Sequence, residues 1–180
     1  VVPDAREHVR SYARFLSLHS WYDDRGDAFH RAPSFLNWDA RLGANGSRIL
    51  QHHLAWIAGL SDECGASPAL GLAMKSLLDP DPREVEQLEL YVAQTLWGSD
   101  ADRAANLTVQ DAAYGVRASM FYSGKRGFPY EVLPDWDRNR SLTRWRSYNY
   151  PHVVAVYWAL YRLARNYEGV ARARPWQWYL

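Results

Sequence analysis

Residues 144–165 read RWRSYNYPHVVAVYWALYRLAR. Five aromatic rings fall within the first fifteen of these residues, and an almost unbroken apolar run follows. Pro151 suits a first helical turn, where its missing N–H is one that a helix leaves unpaired anyway. Beyond it, Val153, Val156, Tyr157, Leu160, Ala164 and Tyr167 share one face, while Val154, Trp158 and Tyr161 share another. Arg162 and Arg165 complement the carboxyl end of the helix dipole, and Gly169 suits the exit. Polar side chains therefore appear only at the ends, and a helix of this kind is expected to be covered on both sides.

Working outward, the chain reads as a series of helices. Asp4 and Glu7 form a capping pair, with Val9, Tyr12, Ala13 and Leu16 on one face and Arg6, Arg10 and Arg14 on the other. A second helix is expected from Ser47 to about Leu60, and a third from Ser67, with Pro68 in its first turn, to just before Asp79-Pro80. Asp81-Pro82-Arg83-Glu84 combines an N-cap acid, a first-turn proline and an early Glu, followed by Val85, Leu88, Val92 and Leu96 up to Gly98. A fifth helix is expected near Thr108, where Asp111 follows three residues on and Ala112, Ala113, Gly115, Ala118 and Ser119 permit a close crossing. Strand signals are sparse, and Asn45-Gly46 precedes a helix cap rather than closing a hairpin. The expected fold is all-α: one domain over 1–180, with helical hairpins in an inner and an outer layer as in part of an α/α toroid.

Bulk composition bounds the partners. The 180 residues carry 21 basic and 20 acidic side chains, a net charge of +1, and only two lysines, Lys75 and Lys125. So even a balance argues against nucleic acid and against an anionic membrane surface. No apolar run reaches the roughly eighteen residues that a membrane span needs. Cys64 is the single cysteine, no CxxC or HExxH spacing occurs, and His52 and His53 lack an acidic partner at ligand spacing, so neither a metal nor another cofactor is expected. Three sequons, at Asn45, Asn106 and Asn139, are compatible with a secreted protein. Nine Trp and twelve Tyr carry more weight, because such an excess of rings fills a core or lines a surface for flat amphipathic ligands.

Two connections, Ser20 to Gly46 and Ser123 to Tyr150, are longer than compact helical proteins need. If successive helices alternate in direction, both connections reach one end of the molecule. That end would gather Trp21, Tyr22, Trp136, Trp145, Tyr148, Asn149, Tyr150 and His152 as substrate contacts, with several carboxylates between them. Rings interleaved with acids suit a carbohydrate, whose C–H faces pack on aromatics and whose hydroxyls meet acids, amides and Arg. Glycoside hydrolysis needs one carboxylic acid and one carboxylate. Glu131 lies among Phe128, Tyr130 and Val132, surroundings that favour its protonated form; Asp135, Asp137 and Asp24 are the candidate partners. Arg140, Arg144 and Arg146 would bind an anionic sugar or neutralise neighbouring acids.

SWYDDRGDAFHRAPSFLNWD (20–39) and DWDRNRSLTRWRSYNYPHVVAVYWALYRLARNY (135–167) resemble an uncharacterised family of large secreted bacterial and fungal proteins, domain of unknown function family 5695, with a six-hairpin glycosidase-like toroid. The resemblance implies a toroidal fold, a carbohydrate substrate and a secreted or periplasmic location, without assigning roles to residues. A toroid of twelve helices takes roughly 220 residues or more, so the chain is expected to be a segment completed by the remainder of a larger parent. Two other readings remain open. Asp23-Asp24-Arg25-Gly26-Asp27 matches the DDxxD pattern of magnesium-dependent terpene synthases. Alternatively, the loop acids serve a non-catalytic sugar-binding or scaffolding domain.

Overall fold

Asp4 opens the first helix as its spacing predicts, its carboxylate accepting from the backbone N–H groups of Arg6 and Glu7 at 3.0 and 3.1 Å. These are among the donors that a helix start leaves without partners. In the computed structural model, which describes residues 4–27, 30–41, 43–50, 63–118 and 138–180, α1 spans Ala5–Phe15 and runs on through a π-helical turn at Leu16–Ser20. Of its expected apolar face, Ala13 and Leu16 are buried, whereas Val9 and Tyr12 are exposed.

The next elements correct the all-α expectation. Trp21–Tyr22 (β1) pairs antiparallel with Ser34–Phe35 (β2), and Trp38–Asp39 (β3) pairs antiparallel with Ser47–Arg48 (β4). The protein is mixed α and β, and its described residues display no ring of helical hairpins. Side-chain pairing explains the strands: the Trp21 and Phe35 rings, opposite each other in register, meet edge to face at 5.1 Å. Phe35 in turn meets Tyr91 at 6.1 Å, which anchors the ribbon to the core. Ser47, expected to start a helix, is therefore strand with Arg48, while Ile49 and Leu50 are not helical, and 51–60 of that predicted helix lie outside the described residues.

Helix α2 (Glu63–Ser76) begins earlier than its sequence signal, leaving Pro68 in its second turn instead of its first. Helix α3 (Pro82–Leu90) has the predicted start, with the Asp81 carboxylate accepting from the Arg83 and Glu84 N–H groups, and it extends as a π-helical stretch, Tyr91–Trp97, to Gly98. Gly98 sits at φ +67°, and a Cβ there would run into the Thr108 side chain, so glycine is required on both counts. Two short helices, α4 (Asp100–Ala104) and α5 (Arg138–Leu142), precede α6 (Asn149–Asn166).

The core lies between α2, α3 with its π-helical extension, and α6. Leu72, Leu88, Val92, Leu96, Val156, Leu160 and Leu163 have essentially no exposure there. Each such side chain contributes about 2 kcal/mol by leaving water. Ion pairs tie the helices at one end: Lys75 reaches Glu84 at 2.8 Å, both side chains being nearly enclosed, and Arg10 of α1 holds Asp79 at 2.6 Å. The chain's last turn, Trp176–Tyr179, packs back on α6.

Two further expectations are corrected. No helix forms near Thr108. Gln110 instead bridges Val116, and the Asp111 carboxylate accepts from the N–H groups of Ala113 and Gly115, both at 2.9 Å. An aspartate that satisfies the following backbone groups itself offers the chain a turn in place of a helix. Nor is α6 covered on both sides. Val153, Val156, Leu160 and Leu163 face the core, but Val154 and Trp158 are 59% and 46% exposed. The second apolar face of that helix opens onto a groove.

Candidate functional site

The groove is built where α3 ends and α6 begins. Trp97, the last residue of the π-helical stretch, Tyr150, Val153, Val154, Tyr157 and Trp158 of α6, Gln110, Tyr114 and Val116 of the Asp111 turn, and Trp178, Tyr179 and Leu180 enclose a cavity of about 480 Å³. Seven of these twelve residues carry aromatic rings. Two of its polar groups are engaged within the protein: the Tyr157 hydroxyl donates to Gln110 Oε1 at 2.5 Å, and the Tyr150 hydroxyl donates to the Arg144 carbonyl at 3.0 Å. Burial pushes the Tyr157 phenol upward from its ordinary value, so this hydroxyl stays protonated at neutral pH.

Trp97 is held from several directions. The Arg103 guanidinium lies over its ring at 4.0 Å from the centroid and donates to the Trp97 and Gly98 carbonyls at 3.0 and 2.7 Å. Tyr114 stacks on the same indole, centroids 5.2 Å apart and planes 16° from parallel. Tyr114 adopts φ +63°, a left-handed conformation that costs an L side chain about 1 kcal/mol.

A second, polar cleft of about 510 Å³ lies beyond Gly98, lined by Asp24, Arg25, His30, Gln94, Ser99, Asp102 and Arg174 among others. Trp97 thus faces the groove while its neighbour Gly98 faces the cleft. Asp102 accepts from the Ser99 hydroxyl at 2.6 Å and the Ser99 N–H at 2.9 Å, bonds that hold its carboxyl below the usual range. It is a carboxylate at neutral pH, suited to accepting hydrogen bonds and not to donating a proton. Arg25 donates to Gln94 Oε1 at 2.5 Å and also pairs with Asp23 at 2.7 Å, which fastens the first long connection to this end of α3. The described part of the second long connection reaches the same end through Arg144, which pairs with Asp111 at 2.7 Å.

The sequence-derived candidates are distributed unevenly over this geometry. Glu131, Asp135, Trp136 and Asp137 lie outside the described residues. Asp24 is exposed at the cleft, where its carboxylate accepts from the Gly26 N–H at 2.8 Å and from the Tyr22 hydroxyl at 3.4 Å. Trp21 and Tyr22 sit in β1, half-buried and buried respectively, Trp21 packing against the main core and Tyr22 against Leu36 in a separate small cluster. Asn149 is fully buried, its amide donated to the Arg117 and Ala118 carbonyls, so that group serves the α6 start and not a ligand. Trp145 and Tyr148 are exposed and His152 is half-buried, but none of the three lines the groove. Of the candidates among the described residues, Tyr150 alone does.

The three aspartates of DDRGD do not converge. Asp23 pairs with Arg25, Asp24 holds the Gly26 N–H, and Asp27 is buried against Arg31. No group of three or more His, Cys, Asp or Glu suited to a metal ion occurs among the described residues. No described helix is long and apolar enough to cross a membrane. The residues that sequence reasoning missed are Trp97, Tyr114, Trp158 and Trp178. Trp158 had been assigned to a covered helix face, and Tyr114 to a helix that is a turn.

A family model described as a family of unknown function, DUF5695, matches residues 1–180. The chain belongs to DUF5695. No curated protein and no solved structure matches it. The DUF5695 assignment accords with the family resemblance of the two long aromatic stretches and leaves the chemistry to be argued from the groove and cleft.

Proposed function

We propose that this DUF5695 chain is a carbohydrate-active, glycoside hydrolase-like unit, in which the aromatic groove binds an oligo- or polysaccharide and loop carboxylates supply acid and base. The observation that carries the reading is the ring-lined groove at the end of α3. Sugars present apolar C–H faces to rings, and a groove this rich in Trp and Tyr offers that contact. The reading is supported by the attachment of both long, acid-bearing connections near this end, through Arg25 to Gln94 and Arg144 to Asp111. Kinship with six-hairpin glycosidases, a secreted or periplasmic location and a larger parent chain belong to the same proposal.

Glu131 is proposed as the general acid, with Asp135, Asp137 or Asp24 as its partner. Incubating the intact protein with a panel of polysaccharides and measuring new reducing ends tests this. Hydrolysis should fall by roughly 10²- to 10⁴-fold in Glu131→Gln, the range expected for removing a general acid, while binding persists. Neither binding nor reducing ends across the panel would remove the proposal.

One observation favours a second reading, a sugar-binding module without catalysis: none of the described residues lining the groove is a carboxylate. On that reading a polysaccharide binds, no bond is cleaved, and Glu131→Gln and Asp135→Asn bind as the wild type does.

A further inference from the structure

We infer that Tyr114 is the platform on which a sugar ring stacks at the mouth of the groove, and that the Asp111 turn serves to hold it there. This rests on the carbohydrate reading above and names the residue within it that meets the ligand.

The turn itself does not ask for tyrosine. At φ +63° the backbone favours Gly or Asn, and Gly98 at φ +67° and Asn106 at φ +60° nearby follow that preference. Position 114 instead carries a large ring that is 73% exposed, so burial does not offset the strain. The conformation is nevertheless firmly imposed. Asp111 Oδ1 accepts from Ala113 and Gly115, the Asp111 N–H donates to the Gly115 carbonyl at 3.0 Å, and Oδ2 accepts from Arg144. A Cβ at position 115 would run into the Arg144 side chain, so the turn and the arginine are fitted to each other.

The outcome of this bracing is one ring, laid nearly parallel on Trp97 and lining the groove with Tyr150 and Trp158. Backbone strain held by surrounding contacts is characteristic of functional positions. A pyranose packs its polarised C–H groups against the negative face of a π system, and hydroxyls that are mainly equatorial leave axial C–H groups on both faces of the sugar. The ligand class assigned is a chain of pyranoses with mainly equatorial hydroxyls.

Native affinity electrophoresis of the intact protein, through gels containing mixed-linkage β-glucan, xylan, galactomannan, pullulan, α-mannan or polygalacturonate, tests the assignment. The wild type should be retarded by β-glucan, xylan or pullulan, whose ring hydroxyls are equatorial, and retardation only by galactomannan, α-mannan or polygalacturonate overturns the ligand class. Tyr114→Phe should be retarded equally. Tyr114→Asn, which suits the left-handed backbone but removes the ring, should bind about fivefold or more weakly, the loss of one aromatic contact, with its thermal midpoint and circular dichroism close to wild type. Equal retardation of Tyr114→Asn and wild type overturns the role of Tyr114 while leaving the carbohydrate reading intact. Unfolding of Tyr114→Asn, with Tyr114→Phe folded, overturns it too, since the ring would then be structural. A wild type that no gel retards removes the carbohydrate reading, and this inference with it.

Discussion

Asp27 and Arg31 carry more of the fold than their neighbours. Both side chains are essentially inaccessible, and they meet through two parallel bonds, Nη2 to Oδ1 at 2.7 Å and Nε to Oδ2 at 2.9 Å. Oδ2 also accepts from the Arg31 N–H at 2.9 Å, and the guanidinium lies 5.6 Å from the centre of the Tyr22 ring. Removing one partner of such a pair leaves the other charge buried without compensation, at a cost of about 3 kcal/mol or more. Asp27→Asn is therefore expected to lower unfolding free energy by that amount in urea titration, and Asp27→Asn with Arg31→Met to recover much of it. Equal losses in the single and double variants would show that the charges are not coupled. None of this was legible in DDRGDAFHR. Charged residues are rarely enclosed, and the three aspartates and two arginines of this stretch read identically whether they face water or each other. The DDxxD reading arose from the same ambiguity, because the spacing of three aspartates does not reveal that each has its own partner.

Elements were legible where one local signal sufficed. Asp4, Asp81 with Pro82, and Gly98 mark helix boundaries through the backbone groups they satisfy or the conformation they permit, and the structure has each boundary where the sequence puts it. The two-residue strands were not legible, since an alternation cannot be recognised over two positions and the pairing depends on rings that meet only after folding. The course of the tail was not legible either, because it is set by a distant side chain. Glu89 of α3 is buried and accepts from the Arg172 and Ala173 N–H groups at 3.0 and 2.9 Å and from the Tyr179 hydroxyl at 2.5 Å. These bonds hold Trp178 and Tyr179 as one wall of the groove. Glu89→Gln keeps one acceptor oxygen and loses the other with the charge. Hydrogen–deuterium exchange should then quicken at residues 172–180 while α2 stays protected, with a stability loss of about 1–3 kcal/mol. Unchanged exchange in the tail would mean that packing on α6 alone retains it.

At the scale of the whole molecule, the same packing that encloses the core also isolates tyrosine hydroxyls from water, and this gives the fold an alkaline limit. Burial is the leading cause of upward shifts at Tyr22, pushed up to about 12 with Asp27 and Asp24 adding to it, at Tyr157, and at Tyr179, where the hydrogen bond to Glu89 acts in the same direction. In each case the folded protein holds the phenolic proton more tightly than the unfolded chain, whose tyrosines titrate near the ordinary value of 10.0. The stabilisation is complete below pH 10.0 and is lost progressively as pH rises toward and beyond about 12, because the unfolded state releases its protons first. These three residues lie in different places: the β1–β2 ribbon, the α6 wall of the groove and the tail. Their ionisation therefore tests whether ribbon, groove and tail unfold as one cooperative unit. In a spectrophotometric titration, Tyr22, Tyr157 and Tyr179 should ionise together in a steep step coincident with unfolding by circular dichroism. Tyr157→Phe should reduce the amplitude of that step and move it to higher pH. A single smooth curve for all twelve tyrosines, complete before ellipticity changes, would show that the phenols are not enclosed together.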